Sequence, residues 1–397
     1  MMTLKHSKAE SVKKMSNRRI LYLQFTNPAA YPPLEHSSQI LADLGWQVLF
    51  LGTGAFGAQD LRFIDHPNIV VKHMSFPAPG WRQKFAYIAY ILWAIWHVFR
   101  RRPAWIYASD LYACLPALLL SYWHDVHILY HEHDAPTSAH PSVFIRWLLW
   151  ARAQVARRAD LCVIPSQQRA DRFEHELAAR RPPVVVWNCP RRHEAESCQS
   201  SPDHEAMWVL YTGSIVPGRL PLTVVMAMAK LPAAVRLRIV GYATIGAKGY
   251  VDQIKRCAEL YGVSDRVELI GAVPTRHELT EIASQCHVGL SLFATDNNDW
   301  NELTMVGPSN KPFGYLACGL PLLVSDLPDW RETFVENGYG LVCDPTDAQS
   351  IAAALQWYWD HPDERQKMGW AGRERIRTEW NYETQFVPVL NAMLTAD

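Results

Sequence analysis

Apolar runs of strand length alternate with amphipathic stretches of helix length along nearly the whole chain, and the rhythm breaks once, at a polar stretch over 190–204. A buried strand that feeds a helix and then another buried strand is how parallel, doubly wound sheets are written, because the crossover helices cover both faces. With 397 residues the chain exceeds one ordinary core, and it suits two domains of roughly 200 residues each. The first half reads as strands at 20–25, 48–51, 69–71, 105–108, 127–130, 161–164 and 184–187. Its helices end near Leu44 or fall around 83–101, 142–158 and 167–180. The second half restarts at 208–211 and continues through strands at 237–240, 267–270, 288–292, 321–324 and 340–342, with helices near 221–230, 248–261, 275–285, 311–318, 347–360 and 362–379. The predicted class is therefore α/β, with two Rossmann-like parallel-sheet domains. The expected boundaries are a basic flexible tail at 1–18, an N-terminal domain at 19–190, a linker at 191–206, a C-terminal domain at 207–375 and a final helix within 376–397 that packs back on the N-terminal domain.

Charge and cysteine use narrow the function classes. Lys plus Arg and Asp plus Glu each number 39, so no overall field favours nucleic acid. The first twenty residues hold Lys5, Lys8, Lys13, Lys14, Arg18 and Arg19 without the apolar centre of a secretory signal. Eight cysteines are scattered with no Cys-x-x-Cys pair, which reads as reduced, buried thiols of a cytosolic protein rather than a disulfide frame or a zinc site.

Gly52-Thr-Gly54-Ala-Phe-Gly57 matches the dinucleotide fingerprint in form, but a new strand begins so soon afterwards that no crossover helix fits. It reads as a glycine-rich loop. His131-Glu132-His133-Asp134 ends a strand, and on a strand the two imidazoles share a face, as in a His-x-His metal pair. The alternatives are that one imidazole reaches a substrate at the carboxyl end of a parallel strand, or that these are polar loop residues. The substrate reading is favoured, with metal second. No remaining ligands are evident apart from isolated residues such as His204 and His277.

In the second half, a glycine turn follows a strand at Gly213 and Ser214, and a helix is expected to open beside Arg219 with Pro221 near its first position. A second helix start lies at Gly307-Pro308-Ser309-Asn310-Lys311-Pro312, capped by Ser309 or Asn310 and terminated by Gly319. Free N–H groups at helix starts, with Lys311 and Arg219 beside them, suit a diphosphate. Two such starts in one domain are worth more than either alone. Within 82–102, Phe85 through Phe99 is an apolar and aromatic run between basic residues. It is too short to span a bilayer and suits either a buried helix or one lying on an anionic membrane surface.

Taken in order, these motifs resemble glycosyltransferase family 4, the group 1 retaining nucleotide-sugar transferases of GT-B fold, whose two Rossmann-like domains face each other across a cleft. The stretch from Pro308 to Pro321 is similar to the family's Pro-Ser-Lys-x-Phe-Glu-Tyr-x-Ala-x-Gly-x-Pro. Leu210-Tyr-Thr-Gly213-Ser214 is similar to its opening phosphate turn, Tyr130-His-Glu-His133-Asp134 to its Tyr-Asp-x-His-Glu, and Arg158-Ala-Asp160 to its Arg-Ala-Asp. The resemblance implies a hexosyltransferase with an acceptor-side first domain and a nucleotide-sugar-binding second domain. It assigns His133 to the donor sugar at the reaction centre and the diphosphate to Gly213, Ser214 and Arg219. Gly307, Pro308, Ser309, Asn310 and Lys311 form the second cradle, and the base lies near Val273. It implies no metal and no cofactor, a saccharide or lipid-linked acceptor, and a cytoplasmic enzyme of surface polysaccharide or glycolipid synthesis, peripheral to the inner membrane face. One departure stands out. The helix glutamate of the family is Gly314 here, and the other acidic position of that motif is Val306, which leaves Glu302 as the acidic substitute or makes the chain a weak or inactive partner subunit. A metal-dependent hydrolase built on His131 and His133 is the remaining alternative.

Overall fold

The computed structural model describes residues 18–54, 61–75, 80–122, 126–136, 141–198, 205–293 and 299–396. It contains two all-parallel sheets. The first comprises β1 (Arg19–Leu23), β2 (Gln47–Thr53), β3 (Ile69–Met74), β4 (Trp105–Ser109), β5 (His127–His131), β6 (Leu161–Ile164) and β7 (Val184–Val185), in the order β3-β2-β1-β4-β5-β6-β7. The second comprises β8 (Met207–Ser214), β9 (Val235–Tyr242), β10 (Val267–Gly271), β11 (Val288–Ser291), β12 (Leu322–Ser325) and β13 (Gly340–Cys343), in the order β10-β9-β8-β11-β12-β13. Each sheet begins in its interior and winds outward both ways, so the strand order reverses between β1 and β4 and between β8 and β11. Ligands of such sheets bind beyond the carboxyl ends of the strands at that reversal.

The chain divides into two compact units. One is built on the first sheet and includes the stretch from Gln385; the other runs from Trp187 to Thr384 and holds the second sheet. The first core is organised by a lateral row of rings. Tyr22 is paired in register with Phe50 and with Tyr107, and its ring lies 4.4 Å and 4.2 Å from theirs. Its hydroxyl donates to Ser37 Oγ at 3.1 Å on the covering helix Pro32–Asp43. A buried phenol needs such a partner. All eight cysteines are buried and free.

The structure differs from the sequence reading in three places. Asp110–Leu120 is a helix that the periodicity did not announce: its sequence is almost wholly apolar with Pro116 inside, so it carries no amphipathic stripe. Within the expected linker, Arg192–Ser197 is a helix, and its Glu194 pairs with Arg276 at 2.6 Å. The expected strand 184–187 stops at Val185; Trp187 and Asn188 turn into the second unit, where they contact Phe313 and Gly307. Among the described residues no helix is long and apolar enough to cross a membrane.

Candidate functional site

Each unit gathers polar side chains at the carboxyl ends of its central strands. In the first, β4 ends at Ser109 and passes into the next helix through Asp110, a non-glycine residue at φ +61. Aspartate tolerates this left-handed region because its short side chain bonds locally, and here Oδ1 accepts the His133 N–H at 2.9 Å. The His133 carbonyl accepts from Arg169 Nη1 at 2.9 Å, and its Nε2 lies 3.1 Å from Ser109 Oγ. That leaves Nδ1 buried and unpartnered. Burial pushes His133 down to about 4, with Asp134 opposing, so at neutral pH the ring is uncharged and acts on a ligand as a hydrogen-bonding group.

The neighbours of His133 are committed elsewhere. Glu132 is buried and held by Arg152, with Nη2 at 2.7 Å from Oε1, while the Tyr130 hydroxyl donates to Oε2 at 2.6 Å. His131 is fully buried, its Nδ1 is bonded to the Tyr107 hydroxyl, and burial followed by the adjacent His133 lowers its pKa. Asp134 is exposed, 3.2 Å from Arg169 Nη1. Burial raises Asp110 to about 8, against donation from the His133 amide and with Asp134 and Glu132 adding to the rise. Among the described residues no group of three or more His, Cys, Asp or Glu is placed to hold a metal. His204 lies outside them, and His277 is exposed beside Glu281. Among the described residues the pair His131 and His133 has no third ligand.

In the second unit, β8 and β9 meet at two glycines. Gly241, at φ +152, passes so close to Gly213 that a Cβ on it would fall 1.8 Å from the Gly213 carbonyl oxygen. Gly213 is itself at φ +113. The backbone contact excludes a side chain at Gly241, and the left-handed φ strains one at Gly213. Thr212 is pinned by the Tyr315 hydroxyl, which accepts its N–H at 2.8 Å. Ser214 closes the turn by accepting the Tyr211 hydroxyl through its carbonyl.

Two cations converge on this turn. Lys311 Nζ lies 5.8 Å from the ring centres of both Tyr211 and Phe293, and the Arg219 guanidinium lies 5.5 Å from the same Phe293 ring. Burial, then the charge of Arg219, pushes Lys311 down to about 7. No carboxylate pairs with either cation among the described residues. An ammonium held this far below its ordinary value is a place where an anion is stabilised. Lys311 belongs to the helix Asn310–Ala317, which Gly319 terminates at φ +73. Ser309 occupies the cap position but its side chain makes no capping bond, so those first N–H groups are left for a ligand. Gly307, at φ +93, and Pro308 lead in. They are held by Asn188, whose N–H and Nδ2 donate to their carbonyls at 2.8 Å and 2.7 Å.

The other expected helix start fares differently. Pro221 is the cap rather than the first residue, and Leu222–Met228 is only seven residues long. Arg219 thus faces a single helix start, that of Asn310–Ala317, rather than one of a pair of equal helix starts. Val273 is half-buried in the turn before the helix Arg276–Ser284. Gly314 opens on a recess with Asn310, Lys311, Arg276 and Glu194, and a Cβ on it would meet nothing within 4 Å. Val306 packs against the core, whereas Glu302 Oε1 comes within 3.9 Å of where a Cβ on Gly218 would stand, beside the Arg219 turn. Sequence reasoning missed the support given by Asn188, Tyr315 and Gly241. Only Gly241 carried a signal, a glycine ending a strand.

Comparison with known proteins assigns residues 34–189 to the Glycosyl transferase 4-like domain and residues 223–391 to the family described as Glycosyl transferase-like. A GDP-mannose-dependent alpha-(1-6)-phosphatidylinositol monomannoside mannosyltransferase of Mycobacterium tuberculosis is 26% identical over 235 residues, 57% of this chain and 54% of the relative. The chain thus matches about half the length of that relative. Among solved structures, Anabaena HepE in complex with UDP-glucose superposes with a TM-score of 0.72 at 16% identity, covering 95% of this chain and 99% of the other. Sucrose-phosphate synthase from Thermosynechococcus elongatus does so with a TM-score of 0.69 at 18% identity, covering 95% and 99%.

Proposed function

Because this chain belongs to the group 1, family 4-type glycosyltransferases and has their GT-B fold, we propose that it moves a hexose from a nucleotide-sugar donor to a saccharide or lipid-linked acceptor, with retention of configuration and without a metal or cofactor. The observation that carries this reading is the Lys311–Arg219 pair. Two cations share one aromatic-walled corner, with no carboxylate paired to either among the described residues, and one of them is driven toward neutrality. In the transfer the bond from the anomeric carbon to the diphosphate oxygen breaks as negative charge grows on that oxygen, the acceptor hydroxyl oxygen bonds to the anomeric carbon in its place, and the hydroxyl proton passes to the leaving diphosphate. Lys311, Arg219 and the N–H groups from Asn310 onward are where that charge is stabilised more in the transition state than before it. Neutral His133, with one nitrogen unpartnered, suits a sugar hydroxyl. The relatives are consistent with such a donor: one is named GDP-mannose-dependent and another is in complex with UDP-glucose. The setting is the cytoplasmic side of a membrane, in surface polysaccharide or glycolipid synthesis.

Gly314 favours a second reading, a partner subunit with weak or no turnover, since the recess beside it holds no family-type glutamate. Calorimetry against a panel of uridine, guanosine and thymidine diphosphate sugars separates the outcomes. Binding with turnover supports the transferase, binding without turnover on any saccharide or lipid acceptor favours the partner subunit, and no binding to any donor sinks both.

A further inference from the structure

Two helices of the first unit carry an apolar face that the unit leaves open. On Trp81–Arg101, the side chains of Trp81, Phe85, Ile88, Leu92, Trp96 and Phe99 are each between 51% and 67% exposed. They recur at steps of three and four residues and so form one stripe. The opposite face, with Tyr87, Tyr90, Ala94 and Val98, is buried. On Val143–Ala156, Val143, Trp147 and Trp150 are between 50% and 61% exposed. Tyr87 meets Phe144 edge-on at 5.6 Å, so the two helices touch through their covered faces, and both pack on the helix Asp110–Leu120.

We propose that this two-helix face docks on an anionic lipid bilayer, lying on it without crossing. The residue types suit the interface, where aromatic side chains with a polar edge are favoured. Arg82 lies over Trp81 at 5.5 Å and Arg100 over Trp96 at 5.6 Å, which sets cationic groups at both ends of the stripe. Neither helix contains an Asp or a Glu. That charge selects an anionic surface and disfavours a second copy, since two such faces would bring like-charged groups together. At the C-terminal end of the stripe, His97 is buried with neither ring nitrogen partnered, and it lines a recess with Arg19, Arg100 and Arg101. A lipid phosphate fits there as the missing acceptor. Both helices start at the end of the sheet where the strands run out, which is the end that carries His133. On the transferase reading, an acceptor held in the bilayer would therefore be delivered to the His133 side of this unit. The docking surface itself does not depend on the donor.

The test is flotation with vesicles of phosphatidylcholine and phosphatidylglycerol in equal parts. The wild-type chain is expected to float with them, to float poorly with phosphatidylcholine alone, and to release as salt is raised. The exposed double variant Phe85→Glu, Trp147→Glu is expected to lose vesicle binding by roughly tenfold or more while keeping the circular-dichroism spectrum and melting transitions of the wild type, which shows that the first unit is folded. Three results would overturn the proposal: no flotation of the wild type, equal flotation of the double variant, or a lipid-free dimer in light scattering that the same substitutions dissociate.

Discussion

A methyl group on Gly213 would stand 2.8 Å from Lys311 Cε and 3.5 Å from its Nζ. The glycine turn and the lysine are therefore fitted to each other, and Gly213→Ala disturbs both: the lysine must move, and alanine at φ +113 is strained, at a cost of about 1–3 kcal/mol. We expect a lowered melting temperature and nucleotide affinity reduced by at least about tenfold. Unchanged affinity by calorimetry would move the diphosphate away from this turn.

Burial, then the charge of Arg219, holds Lys311 down to about 7 while no anion is bound. An arriving diphosphate favours the charged form, so its binding raises that value and takes up a proton. At pH 8 the heat of binding should depend on the ionisation enthalpy of the buffer, and affinity should weaken as pH rises from 7 toward 9. The Lys311→Met variant should bind weakly and show neither effect. A buffer-independent heat in the wild type would argue against contact with Lys311.

His133 holds no charge at neutral pH and has one unpartnered nitrogen. His133→Ala should leave the affinity for the nucleotide diphosphate alone nearly unchanged and lower transfer by roughly 10²-fold or more, as expected when a contact made at the reacting sugar is lost. Equal turnover would take His133 out of the reaction.

Asp110 is raised to about 8, chiefly by burial. A carboxyl with a raised folded-state value binds its proton more tightly when folded, so its contribution to stability declines as pH rises from about 4 to about 8 and stays low above that. Asp110→Asn removes the charge while keeping an oxygen for the His133 amide and a residue type suited to φ +61. The residue as a whole is only partly buried, so we set the gain at about 1 kcal/mol at pH 9, vanishing near pH 4. Denaturant unfolding at the two pH values measures it, and an equal effect at both would be the wrong sign of evidence.

Gly314→Glu places a carboxylate where nothing stands within 4 Å. Replacing a helical glycine should raise stability by about 0.5 kcal/mol. If the recess borders the donor's nucleoside, affinity for the nucleotide sugar should change as well; stability rising with donor affinity untouched would separate the recess from the donor.

The sheets were legible because strands buried on both faces write continuous apolar runs, and each predicted run from Ile20 to Val342 falls on or within one residue or two of a real strand. Lys311, Gly307 and Gly213 stood out because glycine and proline punctuate strand-to-helix turns. What the chain order hides is support from far along the sequence. Asn188 holds Gly307 and Pro308 from 120 residues away, and Tyr315 reaches Thr212 across 103; no local pattern marks either contact. Burial also hides roles: Glu132 and His133 are adjacent, yet one is locked in an ion pair and the other is not. The stripe on Trp81–Arg101 was visible as composition, but only exposure distinguished an open face from a core helix.

The Glu132–Arg152 pair has a further consequence. Arg152 lies two residues beyond Trp150 on the helix that carries Trp147, and its fork grips both oxygens of a carboxylate next to His133. Lysine could not reproduce that two-point grip. The pair thus ties the helix that carries Trp147 and Trp150 to the strand end beside His133 through a buried ionic contact, so the position of that helix and the course of the backbone at His133 are fixed together.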